Sequence, residues 1–202
     1  MQAIETLEQE HRVIEKVLDA LEAYTARLGS GEIDDHGDLG RFVTFFREFA
    51  DRCHHGKEED ILFGALEAAG FPVDAGPIAV MLAEHGEGRR LVGILAGIAD
   101  REQRLSPAER KLASVTAIAY ARLLREHIRK EDHGLFPMAE SQIPAGARTA
   151  LEMAFASFEE AEMGRGTHEG LHALADELVG RHLPCDHYHA SHGCAEGFGL
   201  RL

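Results

Sequence analysis

One pattern constrains this chain more than any other: it is written twice. Residues 54 to 64 read HHGKEEDILFG and residues 127 to 137 read HIRKEDHGLFP, so a histidine, a Lys-Glu pair followed by an acid, and a Leu-Phe step recur at identical offsets. A Glu-His pair stands upstream of each copy. Glu10-His11 precedes the first and Glu84-His85 the second, at 43 and 42 residues from histidine to histidine. Such a chain can fold as two like helical hairpins facing each other across a pseudo-twofold axis. Four histidines and two glutamates would then meet from opposite sides.

The stripes that would line this bundle are visible. Ile4, Leu7, Ile14, Leu18 and Leu21 fall at three-four spacing, and the slot between Leu7 and Ile14 is filled by His11. Ile78, Met81, Val92 and Leu95 describe another stripe, in which His85 takes an apolar position. The stretches GSGEIDDHGDLG, 29 to 40, and GFPVDAGP, 70 to 77, break the pattern. They leave a first helix before residue 29, a second from about Asp38 or Leu39 to Ala69, and a third from Pro77. SPAE at 106 to 109 reads as a capping box with Ser106 as cap and Pro107 in the first helical position, opening a fourth helix that reaches about Asp132. Short connections among four amphipathic helices specify an all-α, antiparallel four-helix bundle over residues 1–140. Residues 141–202 read as a C-terminal helical extension. It holds a fifth helix from about Ala145 to Met163, a break at GRGT, a sixth helix from about His168 to His182, and an irregular end after Pro184.

Within each copy the histidine and glutamate are four apart, His54 with Glu58 and His127 with Glu131. On an α-helix both side chains then share a face, about 6 Å apart along the axis, and two groups from one helix can reach one metal centre. His55 and Glu59 have the same spacing. Matching Phe63 to Phe136 and Lys57 to Lys130 sets His55 opposite Ile128, so His55 and Glu59 are expected at the periphery. Imidazole nitrogen with carboxylate oxygen suits iron, and also zinc, manganese or nickel; the absence of thiolate argues against a structural cysteine-type zinc site. Six side chains are too many for one ion that still reacts and natural for two. With both glutamates as bridges, the remaining positions would go to a bridging oxide or hydroxide and at least one open position. The two carboxylates and that bridge would offset most of the buried charge.

The order of one histidine on helix one, His-x-x-x-Glu on helix two, one histidine on helix three and His-x-x-x-Glu on helix four resembles the hemerythrin-like, or HHE cation-binding, family over roughly residues 1–140. The resemblance implies a non-haem di-iron centre ligated at His11, His54, Glu58, His85, His127 and Glu131, with zinc or manganese as possible substitutes for iron. Oxygen-carrying hemerythrins have a second histidine one turn beyond the helix-three ligand, where this chain has Arg89, and their helix-four carboxylate lies one residue farther from its histidine. Four histidines with two glutamates look more like the iron-centre repair and nitric-oxide-responsive members. That likeness implies a protein that binds and reacts with or senses oxygen, nitric oxide or peroxide. The alternative is an iron store or donor for repair of iron-sulfur or di-iron centres, with a redox or iron-acceptor protein as partner. Ferritin-like proteins use paired Glu-x-x-His motifs, and here only Glu8 with His11 fits, unmatched in the other half.

Other features carry weaker expectations. Lys plus Arg number 21 against 35 Asp plus Glu, a net charge of -14, which disfavours nucleic acid and anionic membranes as partners. No stretch approaches the roughly 18 apolar residues of a membrane span, and MQAIETLEQEHR lacks a signal-peptide core, so a cytoplasmic protein is expected. Cys53 reads as a small core residue. Gly86, Gly88, Gly93 and Gly97 on helix three suggest close helix packing. Tyr120 and Thr116 lie on a face similar to that of His127 and either hold its second nitrogen or pack. His168 and His172 read as a solvent-facing pair, and Cys185, His187, His189, His192 and Cys194 as either a polar tail or a zinc or copper site.

Overall fold

In the computed structural model, which describes residues 1–158, 161, 164 and 166–184, the breaks between helices fall where glycine and proline set them. Helix α1 (Gln2–Ser30) stops at Gly31, whose φ of 79° is the left-handed conformation that closes a helix; its N–H reaches the Arg27 and Leu28 carbonyls. Helix α2 covers residues 37–68 without interruption but not uniformly. Gly37–Phe45 is α-helical, Phe46–His55 and Glu58–Leu62 are wider π-helical turns, and Phe63–Ala68 is α-helical again. Helix α3 is Gly76–Ala99. Helix α4 covers residues 107–142: Pro107–Lys130, a π-turn Glu131–Leu135, and Phe136–Gln142.

The capping box forms as the sequence indicates: the Ser106 hydroxyl accepts the Glu109 N–H at 3.3 Å and the Glu109 carboxylate accepts the Ser106 N–H at 2.9 Å. Helix α4 runs past the expected end at Asp132. The Phe136 N–H donates to the Glu131 carbonyl five residues back, so Pro137 sits in the first turn of a new α segment, where its missing donor is tolerated. Phe63 and Glu58 make the same five-residue link in α2. The duplicated sequence therefore duplicates a backbone irregularity, a wide turn that opens at the glutamate of each motif; the wide stretch Phe46–His55 belongs to α2 alone.

The four helices form an antiparallel bundle with two apolar clusters at different levels. One gathers Ile4, Leu7, Leu62, Leu66, Met81 and Leu135; the other gathers Ile14, Leu18, Leu21, Phe42, Leu95 and Leu124. Helix α5 (Ala145–Phe158) adds Leu151 and Phe155 to the first, and α6 (Thr167–His182) adds Leu171, Ala175, Leu178 and Val179 to the second. The expected end of the fifth helix near Met163 and the irregular end after Pro184 lie outside the described residues. Gly56, between the π-turns of α2, leaves room for Phe158 of α5: a Cβ there would sit 2.6 Å from its ring. Of the helix-three glycines only Gly88 is buried against a neighbour, where an added Cβ would sit 3.6 Å from the Tyr120 ring; Gly86, Gly93 and Gly97 face open space, so close packing does not explain them. Among the described residues no helix is long and apolar enough to cross a membrane.

Replacing Ser106 by alanine removes one cap and is expected to cost about 1 kcal/mol, read from urea unfolding. The C-terminal end of α6 is pinned to Asp38, which accepts from His182 at 2.9 Å and Arg41 at 3.1 Å. Burial opposes ionisation of Asp38, but those hydrogen bonds hold its pKa below 3.8, while burial lowers that of His182 below 6.5. Both groups have depressed folded-state values, so each stabilises docking above its unfolded value and loses that contribution in acid. Amide protection in α6 should be complete at pH 7, weaken as pH falls below 6.5, and fall again below 3.8.

Candidate metal centre

Between the two apolar clusters lies a polar layer. His11, His54, Glu58, His85, His127 and Glu131 are each at most 1% exposed. They fall into two groups joined by Glu58: His11, His54, Glu58 and Glu131, and His55, Glu58, His85 and His127. Within each group one ligand-capable atom per residue lies within 4.8 Å of the others. Glu58 turns one oxygen to His54 Nε2 at 3.7 Å and the other to His85 Nε2 at 3.5 Å. Glu131 turns one to His127 Nε2 and the other to His11 Nε2, each at 3.2 Å. Both carboxylates thus span the two halves of the repeat.

Of the facing atoms, His85 Nε2 and His127 Nε2 share a hydrogen bond at 3.0 Å; the others do not satisfy one another. Both oxygens of Glu58 and of Glu131, and Nε2 of His11 and His54, are buried without a hydrogen-bond partner. A buried polar atom left so costs about 1–3 kcal/mol. Nitrogen and oxygen atoms that converge on common points, most of them without partners of their own, fit cations held at those points.

The second nitrogens explain the rest of the motif. His54 Nδ1 donates to Glu10 at 2.8 Å and His127 Nδ1 to Glu84 at 3.0 Å. His11 Nδ1 donates to Asp132 at 2.7 Å and His85 Nδ1 to Glu59 at 2.6 Å. Each of these acids is in turn paired with a cation: Glu10 with Lys57, Glu84 with Lys130, Asp132 with Arg12, and Glu59 with Arg89. Such carboxylates fix the tautomer, leaving Nε2 as the lone-pair nitrogen. Phe136 lies flat on His11 and Phe63 on His85, with interplanar angles of 9° and 16°, which accounts for the repeated Leu-Phe step.

Burial disfavours charged imidazole, yet the surrounding acids prevail at three positions, Glu58 and Glu59 raising His85. His11 is pushed up to about 9 by Asp132 and Glu131, and His127 to about 10 by Glu131 and Glu84. Glu131, against its own burial, is held well below the usual carboxylate range by His127 and His11. His55 moves the other way: burial and the nearby charge of His85 hold it well below 6.5. A cation binding here would displace the ring protons at Nε2.

Several expectations need correction. His55 is not peripheral: it is 4% exposed and stacks on His85 with ring centroids 3.8 Å apart. Successive helical residues diverge by about 100°, so His54 meets α1 while His55 meets α3. Glu59 holds His85, and Glu10, Glu84 and Asp132 do the same for other rings; the doubled Glu-His and Lys-Glu-acid context was the signal for them. Tyr120 and Thr116 do not hold His127, whose Nδ1 belongs to Glu84; Tyr120 packs against Phe46. Cys53 is fully buried, beside Glu10 and His168. His168 and His172 do not face solvent as a pair: both rings pack on Phe49, and His168 Nε2 lies 3.6 Å from Glu10. Cys185, His187, His189, His192 and Cys194 lie outside the described residues.

The sequence pattern of the hemerythrin HHE cation binding domain matches residues 2–139. Uncharacterized proteins of Mycobacterium tuberculosis and of Mycobacterium bovis are each 28% identical over 179 residues, 88% of this chain and 68% of theirs. No solved structure matches.

The Lys57 ammonium is fully buried, whereas the Lys130 side chain is 37% exposed. Glu10→Gln should therefore destabilise the protein by about 3 kcal/mol, as when a buried ion pair loses one member, and Glu84→Gln by less than about 1 kcal/mol. Paired urea titrations compare the two.

Proposed function

The chain belongs to the hemerythrin HHE cation-binding family, and we propose that its bundle holds two iron ions through His11, His54, Glu58, His85, His127 and Glu131. We propose further that this centre binds and reacts with, or senses, a small ligand such as oxygen, nitric oxide or peroxide. The observation that carries the reading is the splitting of each carboxylate: Glu58 and Glu131 each offer one oxygen to the His11/His54 half and one to the His85/His127 half. One ion would need only one of these halves. The ligand set of four histidines and two glutamates resembles that of the iron-centre repair and nitric-oxide-responsive members, which supports this reading.

Iron held there would exchange electrons with a small ligand. The chain's own part is to present neutral Nε2 atoms, through carboxylates at Nδ1, and to enclose the site in apolar walls. A cavity of about 80 Å³ lined by Phe46, Arg47, Asp51, His55, Arg89 and Tyr120 adjoins the polar layer. Organic substrates occupy roughly 300–1,000 Å³, so this space suits a diatomic molecule or peroxide. Iron donation is the less favoured reading, because all six groups are enclosed. Residues 1–140 are proposed as the iron-holding domain and residues 141–202 as a C-terminal extension with a His/Cys-rich tail.

Metal analysis of the full chain expressed with iron should give two iron atoms per chain, and none in the Glu58→Gln, Glu131→Gln double variant. Anaerobic reduction followed by oxygen, nitric oxide or peroxide should alter the near-ultraviolet absorption. A metal-free protein, or a reduced one indifferent to all three, contradicts the proposal.

A further inference from the structure

We infer that His55 is a seventh protein ligand of this centre, its Nε2 joining His85 and His127 on the same ion. The inference rests on the two-ion reading above and adds to it a residue that the repeat alignment sets aside.

Four observations carry it. One ring nitrogen of His55 falls within the same 4.8 Å group as Glu58, His85 and His127. His55 Nε2 is buried and has no hydrogen-bond partner, like Nε2 of His11 and His54. Its other nitrogen is held as in the four proposed imidazole ligands: Nδ1 donates to Asp51 at 3.3 Å, and Asp51 is paired with Arg89 at 2.8 Å. Arg89 also holds Glu59, so the residue one turn beyond His85 neutralises the acids behind both His55 and His85. Finally, the symmetry-related position is Ile128, 2% exposed and apolar. An apolar side chain therefore suits that position in the other half, and an imidazole with an orphaned nitrogen in its place needs a partner for that nitrogen.

The proton inventory excludes the alternative of a hydrogen-bond donor aimed into the adjoining cavity. With Asp51 accepting from Nδ1, the neutral ring carries its proton there, and Nε2 offers a lone pair and no hydrogen. Counting donors, the ion of His85 and His127 gains a third imidazole while that of His11 and His54 keeps two.

The test is an anaerobic iron(II) titration of the full chain, with stoichiometry and affinity read by chelator competition. The wild-type chain should bind two ions. His55→Leu, which mimics Ile128, should weaken one of the two by about 10-fold or more and leave the other unchanged. His55→Ala should show the same loss and recover it in the presence of free imidazole, which would fill the space that the truncated ring vacates. Circular dichroism checks that each variant keeps its helix content; should the alanine variant fail to fold, the leucine variant carries the test. Two ions bound at wild-type affinity in the variants would overturn the role of His55 and leave the two-ion site standing. So would a loss that imidazole does not repair. A wild-type chain that takes up no iron would instead remove the site itself, and the inference with it.

Discussion

Glu58 and Glu131 are fully buried, and none of their four carboxylate oxygens has a hydrogen-bond partner. Two such groups in a helical interior would ordinarily be expelled or neutralised, because an isolated buried carboxylate costs several kcal/mol. The rest of the bundle is arranged around them. Four further acids stand one layer out, and each is offset by its own cation: Glu10 by Lys57, Glu84 by Lys130, Asp132 by Arg12, Glu59 by Arg89. Arg89 also serves Asp51, so the outer layer is close to balanced, and most of the negative charge left over is that of the central pair. Cations between those two carboxylates complete the balance that the side chains leave open.

Much of this was legible in the sequence. The slots that His11 and His85 fill in apolar stripes put both on the inner face, and both are buried. The i, i+4 pairs, the capping box at Ser106 and the breaks at 29–40 and 70–77 follow from local rules of spacing and turn chemistry that tertiary packing does not overturn. What failed to show did so for identifiable reasons. Aligning the two copies assumes that they are equivalent, and His55, set against Ile128, is where they are not. Glu10, Glu84 and Asp132 look like solvated surface acids because a sequence does not say which carboxylate lies behind which ring. The wide turns at Glu58 and Glu131 alter the hydrogen-bond register without altering composition, so the fourth helix is expected to end near Asp132 although it continues through Pro137.

The extension breaks the twofold symmetry further. Helix α6 lies against the α1–α2 hairpin, where His168 approaches Glu10, the acid that holds His54. Nothing in its periodicity distinguishes that face from the one over α3, and so the sequence does not fix where it docks. One half of the polar layer is therefore backed by an added helix. The other adjoins the cavity beside His55, Arg89 and Tyr120. A centre duplicated in sequence ends with two unlike surroundings.

Diffraction data recorded on either side of the iron absorption edge, from crystals of the iron-loaded full chain, address the central claim most directly. The account predicts two anomalous peaks about 3.5–4 Å apart, each between Glu58 and Glu131. A single peak, or none in that layer, would contradict it.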